Sequence, residues 1–298
     1  MNDEELFRGT LMFVRKLISR ATGLLALVTC LFIHPTQAAW DLNMPVGVTP
    51  ISENAYDIHM LMLYICTIIG VLVFGAMTWS IIHHRKSKAH KPAQFYHSTF
   101  AEIVWTIIPF IILVGFAVPA TKALIDMEDT SAADMTIKIT GYQWMWRYDY
   151  LEDEVTIFSS LALSSRAAMY DDPTKVENYL LEVDNDIVLP VGKKIRFILT
   201  SDDVIHAWWV PALGMKKDAI PGYVNEFWAY IREPGTYRGQ CAELCGKDHG
   251  FMPIVVIAKN ENEYQNWLTT RQVGQKTETL AATQSWDMSE LNRQAETL

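Results

Sequence analysis

The chain has 298 residues, of which 50% are hydrophobic and 20% charged, and its formal net charge is −9. Because an acidic chain repels phosphates, we expect no nucleic acid partner, and any steering by charge would favour a basic protein. The apolar residues are concentrated in the first 125 positions, whereas the rest has the composition of an ordinary soluble domain.

The N-terminus has the pattern of a secretory signal. Three basic residues precede an apolar run over 23–33, and small residues follow at 38–39. This arrangement predicts a cleaved signal peptide over residues 1–39, followed by a short periplasmic N-terminal segment over 40–57. A lipoprotein signal ending at Cys30 is the alternative, although the apolar run continues beyond that cysteine.

Two longer apolar segments follow, over about 58–82 and 103–120. Each is close to the ~20 residues that a helix needs to cross a bilayer. Together they predict a two-helix transmembrane hairpin over residues 58–125. Two buried core helices of a soluble protein are the alternative, but the short charged loop between the segments disfavours it.

The loop between the two segments indicates their orientation. Positions 83–91 contain four Lys or Arg residues and no acid. Loops that are rich in these cations remain in the cytoplasm. We therefore predict that this loop is cytoplasmic, and that everything after the second segment lies in the periplasm.

From position 135 the pattern changes to short alternating segments. We predict strands over 136–140, 179–183, 194–200, 224–231 and 254–258, separated by turns that contain proline and glycine. Short strands at this spacing are typical of a β-sandwich or barrel, which we place at 126–271. A short helix is predicted near its end, over 262–271, and residues 272–298 are predicted to be a polar C-terminal tail.

The segment over 241–252 carries most of the chemistry. It contains Cys241, Cys245, His249 and Met252, and His206 ends a strand-like run upstream. Thiolate and thioether are soft ligands that, together with imidazole, favour copper. A blue-copper site uses two His, one Cys and a weak Met, so the additional cysteine suggests a second copper.

Three other uses of these cysteines compete with copper. A disulfide is expected in an oxidising compartment, but it leaves the histidine and methionine without a role. Structural zinc accepts two cysteines and two histidines, but not the methionine. A redox thiol pair normally has the Cys-x-x-Cys spacing, which is absent here. Copper accounts for all five side chains.

These residues carry a resemblance to a known family. The segment 241–246 with His249 and Met252, and the segment 203–208 upstream, resemble the binuclear copper A motif of cytochrome c oxidase subunit II. The resemblance extends over about 56–267. It implies a mixed fold, in which the N-terminal two-helix transmembrane hairpin is followed by an all-β cupredoxin-like Greek-key barrel.

The resemblance also implies the cofactors. Two copper ions would be held by the side chains of His206, Cys241, Cys245, His249 and Met252 and by the backbone carbonyl of Glu243. The side chain of Glu243 would bind a magnesium ion shared with subunit I. Haem would be present only in the partner subunit.

The function implied by the resemblance is electron transfer. The chain would accept electrons from cytochrome c and pass them to the haem–copper oxygen-reducing centre of subunit I, with coupled proton translocation. Its further partners would be subunit III and the bacterial inner membrane, and it would not be active alone. A quinol oxidase subunit II or a membrane-anchored copper carrier is the alternative; the quinol relatives lack the copper ligands.

Further roles follow from the same resemblance. Trp144, in an aromatic stretch, is the point at which electrons would enter, although Tyr142 and Met145 beside it depart from the family pattern. Glu102 would mark the entrance of a proton path, or else form a capping box with Thr99. The acids near the docking face for cytochrome c would be Glu152, Asp153, Glu154, Asp184 and Asp203.

The predicted topology is testable with reporter fusions. A periplasmic reporter should be active after Asp126 and inactive after Lys91, because only the loop remains in the cytoplasm. A cytoplasmic reporter at the same two positions is the control and should give the reverse result. Equal activity of one reporter at both positions would mean that one of the two spans does not cross the membrane.

Overall fold

The structure is a computed structural model that describes residues 43–276, apart from positions 89–90, 92–93 and 95. The predicted signal peptide over 1–39 lies outside the described residues. So do residues 277–298, which make up most of the predicted tail.

Two long helices form the hairpin: α1 spans Pro50–His83 and α2 spans Thr99–Glu128. Both are long and apolar enough to cross a membrane, and the side chains of their most apolar windows are not buried by the protein. Exposed apolar surface of this extent is typical of helices that lie in a membrane. The chain is therefore membrane-anchored, and the prediction of two membrane-spanning helices is confirmed.

Each helix begins after an N-cap residue whose side chain accepts a hydrogen bond from the first turn. In α1 the Thr49 hydroxyl accepts from the Ser52 backbone, and the Ser52 hydroxyl accepts from the Thr49 backbone, each at 3.0 Å. Because this capping box starts the helix at Pro50, the end of the predicted 40–57 segment is helical. In α2 the N-cap is Ser98, so the capping box predicted for Thr99 and Glu102 is wrong.

Within the described residues, ten strands follow the hairpin. They are β1 Met135–Tyr142, β2 Met145–Tyr150, β3 Val155–Ser159, β4 Ile187–Pro190, β5 Lys194–Ser201, β6 His206–Val210, β7 Met215–Ala219, β8 Asn225–Tyr230, β9 Gly235–Cys241 and β10 Pro253–Lys259. They form two five-stranded sheets, in the orders β3-β2-β1-β5-β8 and β4-β10-β9-β6-β7. The pairs β1–β5 and β4–β10 are parallel and the other pairs antiparallel. The predicted fold class, a helical hairpin followed by an all-β cupredoxin-like domain, is confirmed.

The core lies between the two sheets. Alternate residues of β2, namely Trp146, Tyr148 and Tyr150, are fully buried because side chains on one face of a strand recur every second residue. On β5 and β8 of the same sheet, Phe197 stacks on Phe227 with ring centroids 4.8 Å apart. This rigid aromatic core fixes the ends of the strands, where the functional residues lie.

The structure differs from the prediction in several segments. The strand predicted over 179–183 is wrong, since this stretch forms turns, with positive φ at Asn178 and Leu180, and only Val183 makes an isolated bridge. A short helix, α3, spans Leu163–Ala168. The C-terminal helix, α4, covers 261–276 and so extends into the predicted tail.

The start of α1 is fastened to the β domain. The Thr49 hydroxyl donates to the Leu213 carbonyl at 2.8 Å, and the Val48 backbone donates to the Ala212 carbonyl at 2.9 Å. Gly214 follows with φ at 71°, and a Cβ added there would lie 2.6 Å from the Ser52 Cα. Glycine at 214 therefore allows the helix and the β domain to approach closely.

This close approach predicts the effect of two matched substitutions. Gly192 also has positive φ, at 73°, but nothing lies within 4 Å of an added Cβ. Gly192→Ala should lower the free energy of unfolding by roughly 1–2 kcal/mol, because alanine is disfavoured in the left-handed conformation. Gly214→Ala should lower the free energy of unfolding by about 1–3 kcal/mol more than Gly192→Ala, because the added methyl group overlaps with Ser52.

The measurement is the thermal unfolding midpoint of the full chain in detergent, followed by near-ultraviolet circular dichroism. The midpoint should fall further for Gly214→Ala than for Gly192→Ala. Equal midpoints for the two variants would show that the helix does not pack on Gly214.

Candidate metal centre

The candidate site is built by two neighbouring strands and the loop that joins one of them to the next. Trp208 of β6 lies opposite Cys241 at the end of β9, so His206 at the start of β6 comes beside that cysteine. The chain then loops through Cys245 and a single 3-10 turn, His249–Phe251. The loop closes where the Cys241 backbone donates to the Met252 carbonyl at 3.3 Å.

The two sulfurs form the centre of the site. The Cys241 and Cys245 Sγ atoms are 3.8 Å apart, which is too far for a disulfide bond of about 2.05 Å. The Cys241 sulfur lies 4.0 Å from the His206 Nδ1 and 3.4 Å from the Glu243 carbonyl oxygen. The Cys245 sulfur lies 3.5 Å from the His249 Nδ1 and 3.5 Å from the Met252 Sδ. Each sulfur thus has its own imidazole.

This donor set fits a soft metal. The ligand atoms of His206, Cys241 and Cys245 lie within 4.8 Å of one another, and all three residues are buried. Nitrogen and sulfur donors with one added thioether suit copper better than a hard cation. The sequence prediction of a site formed from these residues is therefore matched by a cluster that a copper ion fits.

The surroundings of the two thiols shift their pKa values in opposite directions. Burial alone would raise the pKa of Cys241, but its contacts with His206 and with backbone groups outweigh burial and lower it. Burial and then the nearby charge of Cys241 raise the pKa of Cys245. Burial would lower the pKa of His206, but its bonds to Cys241 and Asp203 raise it. The surroundings therefore favour ionisation of the Cys241 thiol over that of Cys245.

Asp203 binds the His206 ring on the side that faces away from the sulfurs. Its carboxylate lies 2.9 Å from the His206 Nε2, which leaves the Nδ1 facing the sulfurs. The same carboxylate accepts from the Gln143 and Val204 backbone N–H groups, each at 2.6 Å. Burial would raise the pKa of Asp203, but these bonds, led by that from His206, lower it. Asp203 therefore orients the imidazole and fastens the β1–β2 turn to it.

Trp144 lies in that turn and is bonded to the site. Its indole N–H donates to the Cys245 carbonyl at 3.1 Å, and the Gln143 side-chain amide donates to the same carbonyl at 2.8 Å. Gly246 has φ at 116°, and a Cβ there would lie 3.1 Å from the Trp144 ring. A side chain at 246 would therefore press on the indole, so glycine allows this contact.

The predicted docking acids fall into two groups. Asp203 lies beside Trp144, and Asp184 accepts from the Ser160 backbone at 2.7 Å, at the same end of the sheet. Residues 152–154 form the turn after β2, at the opposite end of that strand. The structure therefore brings two of the five acids towards Trp144 and holds the other three away.

The remaining predicted residues lie apart from the cluster. The Glu243 side chain is exposed on the loop, although its carbonyl points to Cys241. Glu102 lies in the first turn of α2, and the β domain follows the last turn of that helix. A helix of 30 residues is about 45 Å long, so Glu102 lies on the far side of the span.

Sequence reasoning did not predict that Gln143, Asp203 and Gly246 support the site. The spacing of Asp203 and His206, three residues apart, was the available signal for the ring partner. Gln143 and Gly246 carried no such signal, since their roles depend on the contact between two separate turns.

The chain matches known proteins along most of its length. The family profile described as the periplasmic domain of cytochrome C oxidase subunit II matches residues 135–259, and that of its transmembrane domain matches 37–123. A probable cytochrome c oxidase subunit 2 of Rickettsia bellii is 40% identical over 232 residues, which are 78% of this chain and 84% of that protein. A cytochrome c oxidase subunit 2 of Oenothera berteroana is 38% identical over 231 residues, covering 77% and 90%.

One solved structure similar to this chain is the periplasmic domain of subunit II of cytochrome oxidase from Bradyrhizobium japonicum. It is 42% identical, with a TM-score of 0.44, and the match covers 49% of this chain and 98% of that chain.

The role of Asp203 predicts a change in metal affinity. Asp203→Asn removes the charge behind the imidazole, and loss of such an outer partner typically weakens metal binding about 10–100-fold. Asp202→Asn removes the same charge from the exposed neighbouring residue and should change the affinity less than about twofold. Cu(I) affinity is measured by competition with a chromogenic chelator. Equal affinities for the two variants would refute the orienting role.

Proposed function

Because the chain belongs to the cytochrome c oxidase subunit II family, we propose that it accepts electrons from cytochrome c at a two-copper centre. The electrons then pass to the haem–copper oxygen-reducing centre of subunit I, coupled to proton translocation. The observation that carries the proposal is the paired donor set, in which two sulfurs 3.8 Å apart each face a separate imidazole nitrogen.

Two copper ions, when bound, would share one electron, so that the charge at each metal changes little on transfer. His206 and the Glu243 carbonyl lie on the Cys241 side of the sulfur pair, whereas His249 and Met252 lie on the Cys245 side. The Cys241 and Cys245 sulfurs would hold both ions. The backbone of β6, β9 and β10 holds these ligands, and such preorganisation keeps their movement small.

Trp144 is the proposed point at which electrons enter. The half-buried indole reaches the protein surface, and its N–H bond to the Cys245 carbonyl connects that surface to a ligand. A hydrogen-bonded contact of 3.1 Å shortens the distance that an electron crosses through space. The tight packing on Gly246 supports a fixed path rather than a mobile one.

Acids at the same end of the domain are proposed to attract the donor. Asp184 and Asp203 lie near Trp144, although the Asp203 carboxylate also serves His206. Glu152, Asp153 and Glu154 would act from the opposite end through the long-range field alone. Screening over about 8 Å at physiological salt makes their contribution the weaker one.

Other residues are proposed to face the rest of the complex. The exposed Glu243 carboxylate would bind magnesium at the boundary with subunit I, which also holds the haem. Glu102 would mark the entrance of the proton path on the cytoplasmic side. Subunit III would complete the assembly in the bacterial inner membrane, and the chain would not reduce oxygen alone.

Copper stoichiometry and paramagnetic resonance test the proposal on the full chain, purified in detergent and loaded with copper. The expected result is two coppers per chain and a hyperfine pattern from one electron shared by two equivalent nuclei. Cys245→Ser removes one bridging sulfur, so this variant should give a pattern from a single nucleus. One copper per chain in the unaltered protein, with a localised pattern, would fit a copper carrier and contradict the proposal.

A further inference from the structure

A lysine lies over the indole at which electrons are proposed to enter. The Lys247 Nζ is 5.5 Å from the centre of the Trp144 ring, and the Lys247 side chain is exposed. Within 241–252 it is the one lysine or arginine, beside the acids Glu243 and Asp248. A cation therefore lies over the Trp144 ring, which we call the contact point. Of the proposed docking acids, Asp184 and Asp203 lie at the same end of the sheet as this ring, and residues 152–154 lie at the opposite end.

This placement has an electrostatic consequence for any donor protein. Acids at a distance raise the rate of encounter with a basic partner, and they do so without regard to its detailed surface. A fixed charge at the contact point acts most strongly once the partner has docked, since salt weakens every exposed charge beyond about 8 Å. Lys247 would then repel a partner that places its own cation on the indole.

We propose that Lys247 is a specificity-determining residue of the docking face, an inference that rests on the proposed function. It selects a donor protein whose surface places a neutral or acidic group over Trp144 and carries its basic groups around that contact. The acids attract such a donor, and Lys247 rejects basic proteins that approach with a cation at the centre.

The chain offers a matched control for this inference. Lys216 is also exposed, and its Nζ lies 5.5 Å from the ring centre of Trp209. Lys216 lies on β7 and Trp209 on β6, whereas Trp144 lies in the β1–β2 turn of the other sheet. Substitution of Lys216 changes the net charge and removes a lysine–tryptophan contact in the same way, without altering the proposed contact point.

The experiment uses the complete purified oxidase complex, with dissociation constants measured by surface plasmon resonance for two probes. One probe is a strongly basic mitochondrial cytochrome c and the other an acidic bacterial cytochrome c. At low salt, Lys247→Gln should bind the basic probe about threefold more tightly and Lys247→Glu about tenfold more tightly. Both variants should bind the acidic probe more weakly by similar factors.

The control variants decide whether the effect is local. Lys216→Gln and Lys216→Glu should change either dissociation constant less than about twofold. Equal effects at the two lysines would overturn the inference, because net charge alone would then explain the binding. A change of the same sign with both probes would also overturn it, because that outcome indicates altered structure.

Failure of this inference is distinguishable from failure of the proposed function. Copper content and reduction of copper by a photoactivated cytochrome c are measured in every variant, with Trp144→Phe included. A complex without reducible copper, or normal transfer in Trp144→Phe, counts against the proposed function or the proposed path. Normal copper reduction with dissociation constants that do not respond to Lys247 overturns only the selectivity.

Discussion

The pairing of Trp208 with Cys241 across β6 and β9 sets the geometry of the whole site. It brings the fully buried His206 beside the Cys241 sulfur, and the loop before β10 then returns Met252 to the same place. A slip of one residue between β6 and β9 would turn His206 to the other face of the sheet. The buried aromatic core between the sheets fixes this register, so the packing of the domain determines the distances between the proposed ligands.

A second layer of contacts connects the ligands to the surface. Asp203 bonds both the His206 ring and the turn that carries Trp144, and that turn bonds back to Cys245. The His206 ring, the ligand loop and the half-buried indole therefore form one connected unit. The hairpin is connected as well, through Thr49 and Leu213, so that the membrane anchor and the site belong to one folded body.

The sequence predicted the parts of this structure that depend on local spacing. The positions of Cys241, Cys245, His249 and Met252 within one loop predicted the cluster, and two apolar runs predicted the hairpin. The start of α1 at Pro50 was not predictable in this way, because the cap formed by Thr49 also bonds to Leu213, far along the chain. The strand predicted over 179–183 failed because the backbone turns there, with positive φ at Asn178 and Leu180, and a short apolar run does not reveal such a turn.

The positions of the docking acids also could not be predicted from the sequence alone. Glu152 and Asp184 belong to one acidic stretch of sequence, yet the direction of β2 and β3 sends them to opposite ends of the sheet. Likewise, the proximity of Lys247 to Trp144 follows from the packing of two turns that are about a hundred residues apart in sequence. Charge composition gives the sign of a field, whereas the fold decides which charges meet a partner.

The central claim is that one sulfur pair holds two metals. Anomalous diffraction at the copper absorption edge, from crystals of the copper-loaded chain, tests it most directly because it locates each copper. We expect two peaks, both in contact with the Cys241 and Cys245 sulfurs, one beside the His206 Nδ1 and the other beside the His249 Nδ1. A single peak, or a disulfide between the two cysteines with no metal, would contradict the account.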